Sequence, residues 1–281
     1  MRFYAHAKIN WTLDITGVSG PWHVLDMIMD SVSLCDVLDI TPTEDGKIVV
    51  ANIADVENMR DNLVFRAADV LQKHTGTSKG AVISMEKNIP SGAGMAGGSS
   101  DAAATLRALN ELWQTNVPDE EMAELALSIG SDVPYCYFAG RKRAKGRGEI
   151  LSPCGGDRRY HLVLAMGEGH LPTGSVFKKC DEVGITNPPD NERIAKALEA
   201  GDFETLYALL PTANVMQPAA QELCADVNDT LAVLSSVGAK AVFMTGSGAA
   251  CVGLFETEEA AKAANEALGG KVFWHTYAYT V

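Results

Sequence analysis

The chain has 281 residues, of which 47% are hydrophobic and 21% charged, enough to bury one large core or two moderate ones. Its formal charge of −13 argues against a nucleic-acid partner, because wrapping a polyanion requires clustered Lys and Arg. No apolar run approaches the roughly 18 to 20 residues that span a bilayer, and Met1 to Asn10 lacks the apolar stretch of a signal peptide, so the expectation is a cytoplasmic protein without membrane contacts.

Residues 3 to 15 alternate strictly, which predicts a half-buried strand with Phe3, Ala5, Ala7, Ile9, Trp11, Leu13 and Ile15 on one face. Lys8 and Asn10 lie two apart on the other face, where a strand lining a cleft would present ligand-binding groups. A loop at 17–22, an apolar stretch at 24–29 and a strand at 32–40 follow. The spacing Val64, Ala67, Ala68, Leu71 predicts a helix over 61–73, capped by Asp61 or Asn62. A short strand at 81–85 precedes the glycine-rich segment, after which Ala102, Leu106, Leu109 and Trp113 predict an amphipathic helix over 100–113. A second helix opens at Pro118 and stops at Gly130; Ser131 to Pro134 reads as a turn into a strand at 135–138.

The basic run Arg141, Lys142, Arg143, Lys145, Arg147 reads as a solvated loop, some of whose charges could offset the phosphates of a bound ligand, and a domain boundary falls near residue 152, giving units 1–152 and 153–281. Beyond it the pattern predicts a strand at 161–165, helices at 176–183, 192–200 and 219–237, and a strand at 241–244. A Gly246-Ser247-Gly248 turn, a strand at 250–255, a helix at 258–268 and a final strand complete the chain. Strands and helices are mixed without regular β-α repetition, the mark of an α+β fold. The six cysteines are scattered, without C-x-x-C spacing, and suit reduced thiols; the six histidines have no H-x-x-x-H spacing, so no residue is assigned to a structural metal.

Pro90-Ser91-Gly92-Ala93-Gly94-Met95-Ala96-Gly97-Gly98-Ser99-Ser100-Asp101 carries the strongest chemical signal. Glycines let the backbone approach a ligand closely, and a helix start offers unpaired N–H donors and the positive dipole end, an arrangement that attracts phosphate. Ser99 and Ser100 could add hydroxyl contacts, or one of them could simply be the N-cap. Gly92-x-Gly94-x-x-Gly97 also matches the dinucleotide fingerprint, but Lys87 to Ser91 separates it from the preceding strand, and Asp119 to Glu121 begin a helix instead of ending a strand, so a nicotinamide oxidoreductase is the weaker reading. A Walker A loop is excluded by the missing Gly-Lys-Ser/Thr.

Three segments in order, Ala7-Lys8-Ile9-Asn10, the glycine-rich segment and Thr245-Gly246-Ser247-Gly248-Ala249-Ala250, together resemble the GHMP superfamily of galactokinase, homoserine kinase, mevalonate kinase and phosphomevalonate kinase. Within it, Asp61-Asn62-Leu63-Val64, Gly130-Ser131-Asp132-Val133-Pro134 and Pro172-Thr173-x-x-Val176-Phe177-Lys178 are most similar to the 4-diphosphocytidyl-2-C-methyl-D-erythritol kinase family. The chain departs from that pattern with Pro21-Trp22-His23 for Gly-Tyr-His, and with Gly94-Met95-Ala96-Gly97-Gly98 for Gly-Leu-Gly-Gly-Gly. The resemblance implies a two-domain GHMP kinase fold, with a ribosomal protein S5 domain 2-like N-terminal domain that binds ATP and a ferredoxin-like C-terminal domain. It implies phosphorylation, with ATP as co-substrate and Mg²⁺, of the 2-hydroxyl of a cytidine-diphosphate-linked alcohol in non-mevalonate isoprenoid synthesis, by a monomer or homodimer. A homoserine- or mevalonate-type kinase is the alternative within the superfamily, and a non-catalytic nucleotide-binding protein the alternative outside catalysis.

By the same resemblance Lys8 and Asp132 form the catalytic pair. ATP falls to Asn62, Lys87, Pro90, Gly92, Gly94, Gly97, Gly98, Ser99 and Ser100. The acceptor falls to Asn10, Trp22, His23, Thr173, Phe177, Lys178, Gly246 and Ser247. Taken singly, Asp132 reads as a turn cap, Lys8 as an exposed strand lysine and Asn62 as a helix cap.

Overall fold

The computed structural model describes residues 1–51, 59–185 and 187–281. Two long strands, β1 (Arg2–Ser19) and β2 (Trp22–Thr43), pass through both of the units into which the chain divides. One unit comprises Met1–Ala7, Leu34–Ser91 and Ala96–Ala139; the other comprises Lys8–Ser33, Gly92–Met95 and Gly140–Val281. The sequence suggests a loop at 17–22, an apolar stretch at 24–29 and a strand at 32–40, whereas β1 runs to Ser19 and β2 is unbroken through Asp30 and Ser31.

In the first unit β3 (Ile48–Ala51) runs parallel to β4 (Gly80–Glu86), and β4 pairs antiparallel with β2 from Val37↔Glu86 to Thr43↔Gly80. Helix α1 (Leu63–Thr75) starts where the Asn62 side chain accepts from Val64 and Phe65 N–H, and ends at the left-handed Gly76. Its apolar face, Val64, Ala67, Ala68 and Leu71, is buried against α2 (Gly97–Leu112), whose many alanines allow close helix approach. Helix α2 begins three residues before the predicted start. Its N-cap is Ala96, with φ 57° and no side-chain cap, so Ser99 and Ser100 lie inside the first turn and neither is the cap.

Helix α3 (Asp119–Ile129) ends at Gly130 as predicted, but residues 135–138 form a helix, α4 (Val133–Phe138), instead of a strand. The aromatic run favours strand; Pro134 near a helix start favours helix, and packing of Val133, Tyr135 and Cys136 against α2 decides it.

In the second unit the early part of β2 pairs with β5 (Lys142–Gly146), from Leu25↔Gly146 to Met29↔Lys142, and β5 with β6 (Ile150–Pro153). The basic run is therefore a strand, not a solvated loop. Carboxylates on β2 make this possible: Asp30 accepts from Arg141 Nε at 2.6 Å and Asp26 from Arg143 Nε at 2.7 Å. β1 is buried on both faces from Ala7 to Ile15, where the alternation predicts one, because its polar residues have partners. Thr12 Oγ1, for instance, accepts from Ile28 N–H at 2.9 Å.

Then come β7 (His161–Met166), α5 (Thr173–Val183), α6 (Asn191–Ala200), α7 (Phe203–Leu209), α8 (Gln217–Leu223), α9 (Ala225–Ser236), β8 (Ala241–Met244), β9 (Cys251–Phe255), α10 (Glu258–Ala267) and β10 (Trp274–Tyr279). The four strands make an antiparallel sheet in the order β10-β7-β9-β8. The single helix expected over 219–237 is broken at Cys224, whose extended backbone, φ −145° and ψ 107°, separates α8 from α9. The six cysteines are free thiols, and among the described residues no helix is long and apolar enough to cross a membrane.

Candidate active site

Within the second unit, parts of all three motif segments converge. Lys8 N–H donates to the Met95 carbonyl at 3.2 Å, and Ala250 N–H to the Ala93 carbonyl at 3.3 Å, so residues 93–95 are held between β1 and the chain entering β9. Asn10 N–H donates to Thr245 Oγ1 at 2.8 Å. Lys8 Nζ, with its residue only 5% exposed, donates to Asn10 Oδ1 at 2.5 Å, so the lysine is held along the strand and does not extend into solvent.

The glycines in this cluster are spatial requirements. Gly94 has φ 74°, and a Cβ there would stand 2.4 Å from the Thr245 carbonyl oxygen; Gly246 has φ 57°, and a Cβ there would stand 2.6 Å from the Gly94 oxygen. Two backbones touch where side chains are absent, and the 245–248 turn is braced from behind by Asn214, whose Nδ2 donates to the Met244 and Gly246 carbonyls, each at 2.9 Å. Ser247 Oγ lies 2.9 Å from Thr173 Oγ1 at the first residue of α5.

One turn along α5, Phe177 stacks on His23, with ring centroids 4.5 Å apart and planes 18° apart. His23 Nε2 is 2.8 Å from Asp181 Oδ1, which fixes the imidazole in that stack. Trp22 points elsewhere, since neighbours in a strand project to opposite faces; the Arg147 guanidinium lies over its indole, 3.9 Å from the centroid. Lys178 is exposed on α5.

In the first unit, Gly97, Gly98, Ser99 and Ser100 form the opening turn of α2, whose first N–H groups have no intrahelical partner. Gly97 and Gly98 are tight for another reason: a Cβ would come to 3.1 Å from Ile89 Cγ2 and 3.4 Å from Leu63 Cδ1 respectively. Ser100 Oγ donates to Cys136 Sγ at 3.3 Å. Pro90 is half-buried in the segment leading to this turn.

Lys87, just before it, bridges the buried carboxylates of Asp36 and Asp101. Asp36 also accepts from the N–H groups of Asn88 at 2.5 Å and Ile89 at 2.8 Å. Burial pushes the Asp101 carboxyl up to about 7, with Asp36 adding to the rise and Lys87 opposing it. Burial works against the charge of Lys87, but the two carboxylates outweigh it and hold its pKa above the ordinary lysine value.

Asn62 spends its Oδ1 on capping α1, at 2.9 Å to Val64 N and 3.1 Å to Phe65 N. Asp132 occupies the N-cap position of α4 but its side chain makes no capping hydrogen bond, so the carboxylate is not consumed by the turn.

Asp36, Asp101, Asn214, Thr245 and Arg147 shape these surroundings; Asp36 and Asn214 are passed over in the sequence, and the other three are named there only within longer segments, without an individual site role. Asp36 had a visible signal, an acid inside the apolar run Leu34-Cys35-Asp36-Val37-Leu38. Asn214 had none, because its role depends on a turn 30 residues away.

The description "GHMP kinases N terminal domain" matches residues 62–140, and "GHMP kinases C terminal" matches residues 194–273. The chain is 35% identical over 263 residues to 4-diphosphocytidyl-2-C-methyl-D-erythritol kinase of Syntrophomonas wolfei, covering 93% of this chain and 92% of that one. It is 37% identical to the enzyme of the same name from Exiguobacterium sibiricum, covering 95% and 93%. A crystal structure of 4-(cytidine 5'-diphospho)-2C-methyl-D-erythritol kinase superposes with a TM-score of 0.85 at 29% identity, over 100% of this chain and 99% of that one. The two-domain α+β fold expected from the motifs is the fold of these proteins, and the chain belongs to the GHMP kinases and, within them, to the 4-diphosphocytidyl-2-C-methyl-D-erythritol kinase family.

Proposed function

We propose that this chain is an ATP-dependent kinase that transfers the γ-phosphoryl group to the 2-hydroxyl of 4-diphosphocytidyl-2-C-methyl-D-erythritol, a step of non-mevalonate isoprenoid synthesis, and that it works in the cytoplasm as a monomer or homodimer. The observation that carries this reading is the convergence of Lys8, Asn10, residues 93–95 and Thr245 in one unit, in a chain whose relatives carry that name over nearly their whole length. A division of labour between residues 1–152, binding ATP, and residues 153–281 belongs to the same proposal.

Phosphoryl transfer needs positioning and charge neutralisation more than covalent help. The N–H donors opening α2, with the hydroxyls of Ser99 and Ser100, are suited to the triphosphate; Gly92 and Gly94 let the chain before them turn closely. Asn62, Lys87 and Pro90 are assigned to the nucleotide side. Asp132 takes the proton of the attacking hydroxyl as general base, and Lys8 supplies positive charge toward the transferring group and the ionised carboxylate. Asn10, Thr173, Gly246 and Ser247 position the acceptor alcohol, while Trp22, His23, Phe177 and Lys178 receive the cytidine end.

Mg²⁺ belongs to the proposal through a test of fit. No group of three or more His, Cys, Asp or Glu among the described residues could hold a metal by itself, yet Mg²⁺ with ATP needs only one or two protein oxygens beside the phosphates. Asp101 Oδ1, one residue past the serine pair, is buried without a hydrogen-bond partner. Ser99, Ser100 and Asp101 thus fit as the protein's share of the site, and the ion there would offset charge on the phosphate oxygens.

Product analysis tests the reading. Phosphorylation of the cytidine compound, with no turnover of mevalonate or homoserine, is expected; the reverse selectivity would overturn it. Asp132→Asn should lower kcat about 10²- to 10⁴-fold with ATP affinity kept, and an unchanged kcat would remove the general base.

A further inference from the structure

The histidines differ in what holds them. His23, His74, His161 and His275 each meet a neighbouring side chain within 3.0 Å. His170, exposed in the loop between β7 and α5, has no hydrogen-bond or ion-pair partner among the described residues.

The loop fixes where that ring goes. Before His170, Gly169 N–H donates to Asp226 Oδ2 at 2.6 Å, and a Cβ on Gly167 or Gly169 would collide with Asp226 or with the Cys224 sulfur, at 2.6 and 2.4 Å. After it, Leu171 is buried, and its Cδ1 lies 3.2 Å from where a Cβ on Gly248 would stand. Held on both sides, His170 rests on Gly92: a Cβ on Gly92 would stand 2.2 Å from the imidazole Cε1 and 2.3 Å from Nδ1. Gly92 also has φ 66°, so its backbone and the ring above it both exclude a side chain.

The turn beneath the ring has donors to spare. Residues 92–95 belong to the same unit as His170. The carbonyls of Ala93 and Met95 accept from Ala250 and Lys8, but the N–H groups of residues 92–95 donate to no described residue. Successive unpaired backbone N–H groups in a turn make an anion-binding concavity. An imidazole N–H beside them adds one more donor, which carries positive charge when the ring is protonated.

We propose that His170 is a further binding residue for the phosphates of ATP, its imidazole donating to an oxygen of the anion that the turn at residues 92–95 receives. This rests on the functional reading above and adds to it a side chain outside the motif segments. His170 favours adenine nucleotides that carry phosphate over the same nucleoside without it.

Calorimetric titration of the full chain with adenosine, ADP and ATP tests it, with thermal melts to confirm that each variant folds. His170→Leu keeps a side chain to cover Gly92 but has no donor; it should weaken ATP about three- to tenfold, the worth of one hydrogen bond, and leave adenosine unchanged. His170→Gln, which keeps an N–H donor, should recover part of that loss, whereas a role in packing alone predicts that Leu substitutes at least as well as Gln. If His170→Leu keeps the wild-type ATP affinity, weakens adenosine and ATP by the same factor, or binds ATP as tightly as His170→Gln does, the proposal is overturned while the functional reading stands. If the wild-type chain neither binds ATP nor phosphorylates the cytidine substrate, the functional reading falls and takes the proposal with it.

Discussion

Gly94 and Gly246 approach each other through bare backbone, so that a Cβ on Gly246 would lie 2.6 Å from the Gly94 oxygen. This contact joins two of the three motif segments, and it leaves no space for a methyl group on either. Gly246→Ala adds a collision with main chain to a left-handed φ of 57°, which alone costs about 1 to 2 kcal/mol for an L-residue. Its melting temperature and ATP affinity should both fall. Gly17→Ala, where nothing lies within 4 Å of an added Cβ, is the control and should behave as wild type; equal behaviour of the two variants would contradict the packing.

Asp36 organises the approach to α2. Its buried carboxylate accepts from Asn88 and Ile89 N–H and from Lys87, so one side chain fixes three successive residues ahead of the glycine-rich turn. Asp36→Ala leaves the Asn88 and Ile89 N–H groups without their acceptor and Lys87 with Asp101 alone, a loss of about 1 to 3 kcal/mol. Urea unfolding should show that loss. Asp36→Asn, which keeps an acceptor oxygen but not the charge, should lose less.

How legible was this in the sequence? The segments proposed to bear phosphate chemistry were readable as structure because glycines and a helix start are local signals: residues 92–100 are a turn into a helix. What failed depended on distant partners. Residues 135–138 look like a strand until packed on α2, and the basic run looks solvated until Asp26 and Asp30 on β2 neutralise it. Lys8 reads as exposed because alternation predicts one wet face, whereas polar partners such as Asn10 let β1 bury both. Trp22 and His23 are both assigned to the acceptor by resemblance, but strand geometry sends the first to Arg147 and the second to Phe177.

The Asp26–Arg143 pair gives stability a definite pH dependence. Hydrogen bonding to Arg143 lowers the Asp26 pKa from 3.8, against an opposing effect of burial. A carboxylate with a depressed folded pKa stabilises the fold above its ordinary value and loses that contribution as pH falls through the folded value. The stability difference between wild type and Arg143→Met should therefore be about 1 kcal/mol near neutrality and shrink as pH is taken below 3.8. Urea midpoints measured across acid pH at constant ionic strength check the sign; a difference that grows on acidification would refute it.

Asn214 offers the sharpest test of the 245–248 turn, since it is itself assigned no ligand and holds the carbonyls on either side of Thr245. Its Nδ2 donates to both Met244 and Gly246, and its Oδ1 accepts from Met216 N–H at 3.0 Å, which settles the amide orientation. Asn214→Ala leaves two buried carbonyls without a donor and should cost about 1 to 3 kcal/mol. Asn214→Asp is nearly the same shape but aims an anion at those two oxygens, so at neutral pH it should be the less stable variant despite the smaller change in volume. Protonation gives the aspartic acid one O–H donor, and lowering the pH should bring Asn214→Asp back toward Asn214→Ala in thermal melts. Were the two variants to keep a constant gap from neutral to acid pH, the donor role assigned to Asn214 would be wrong.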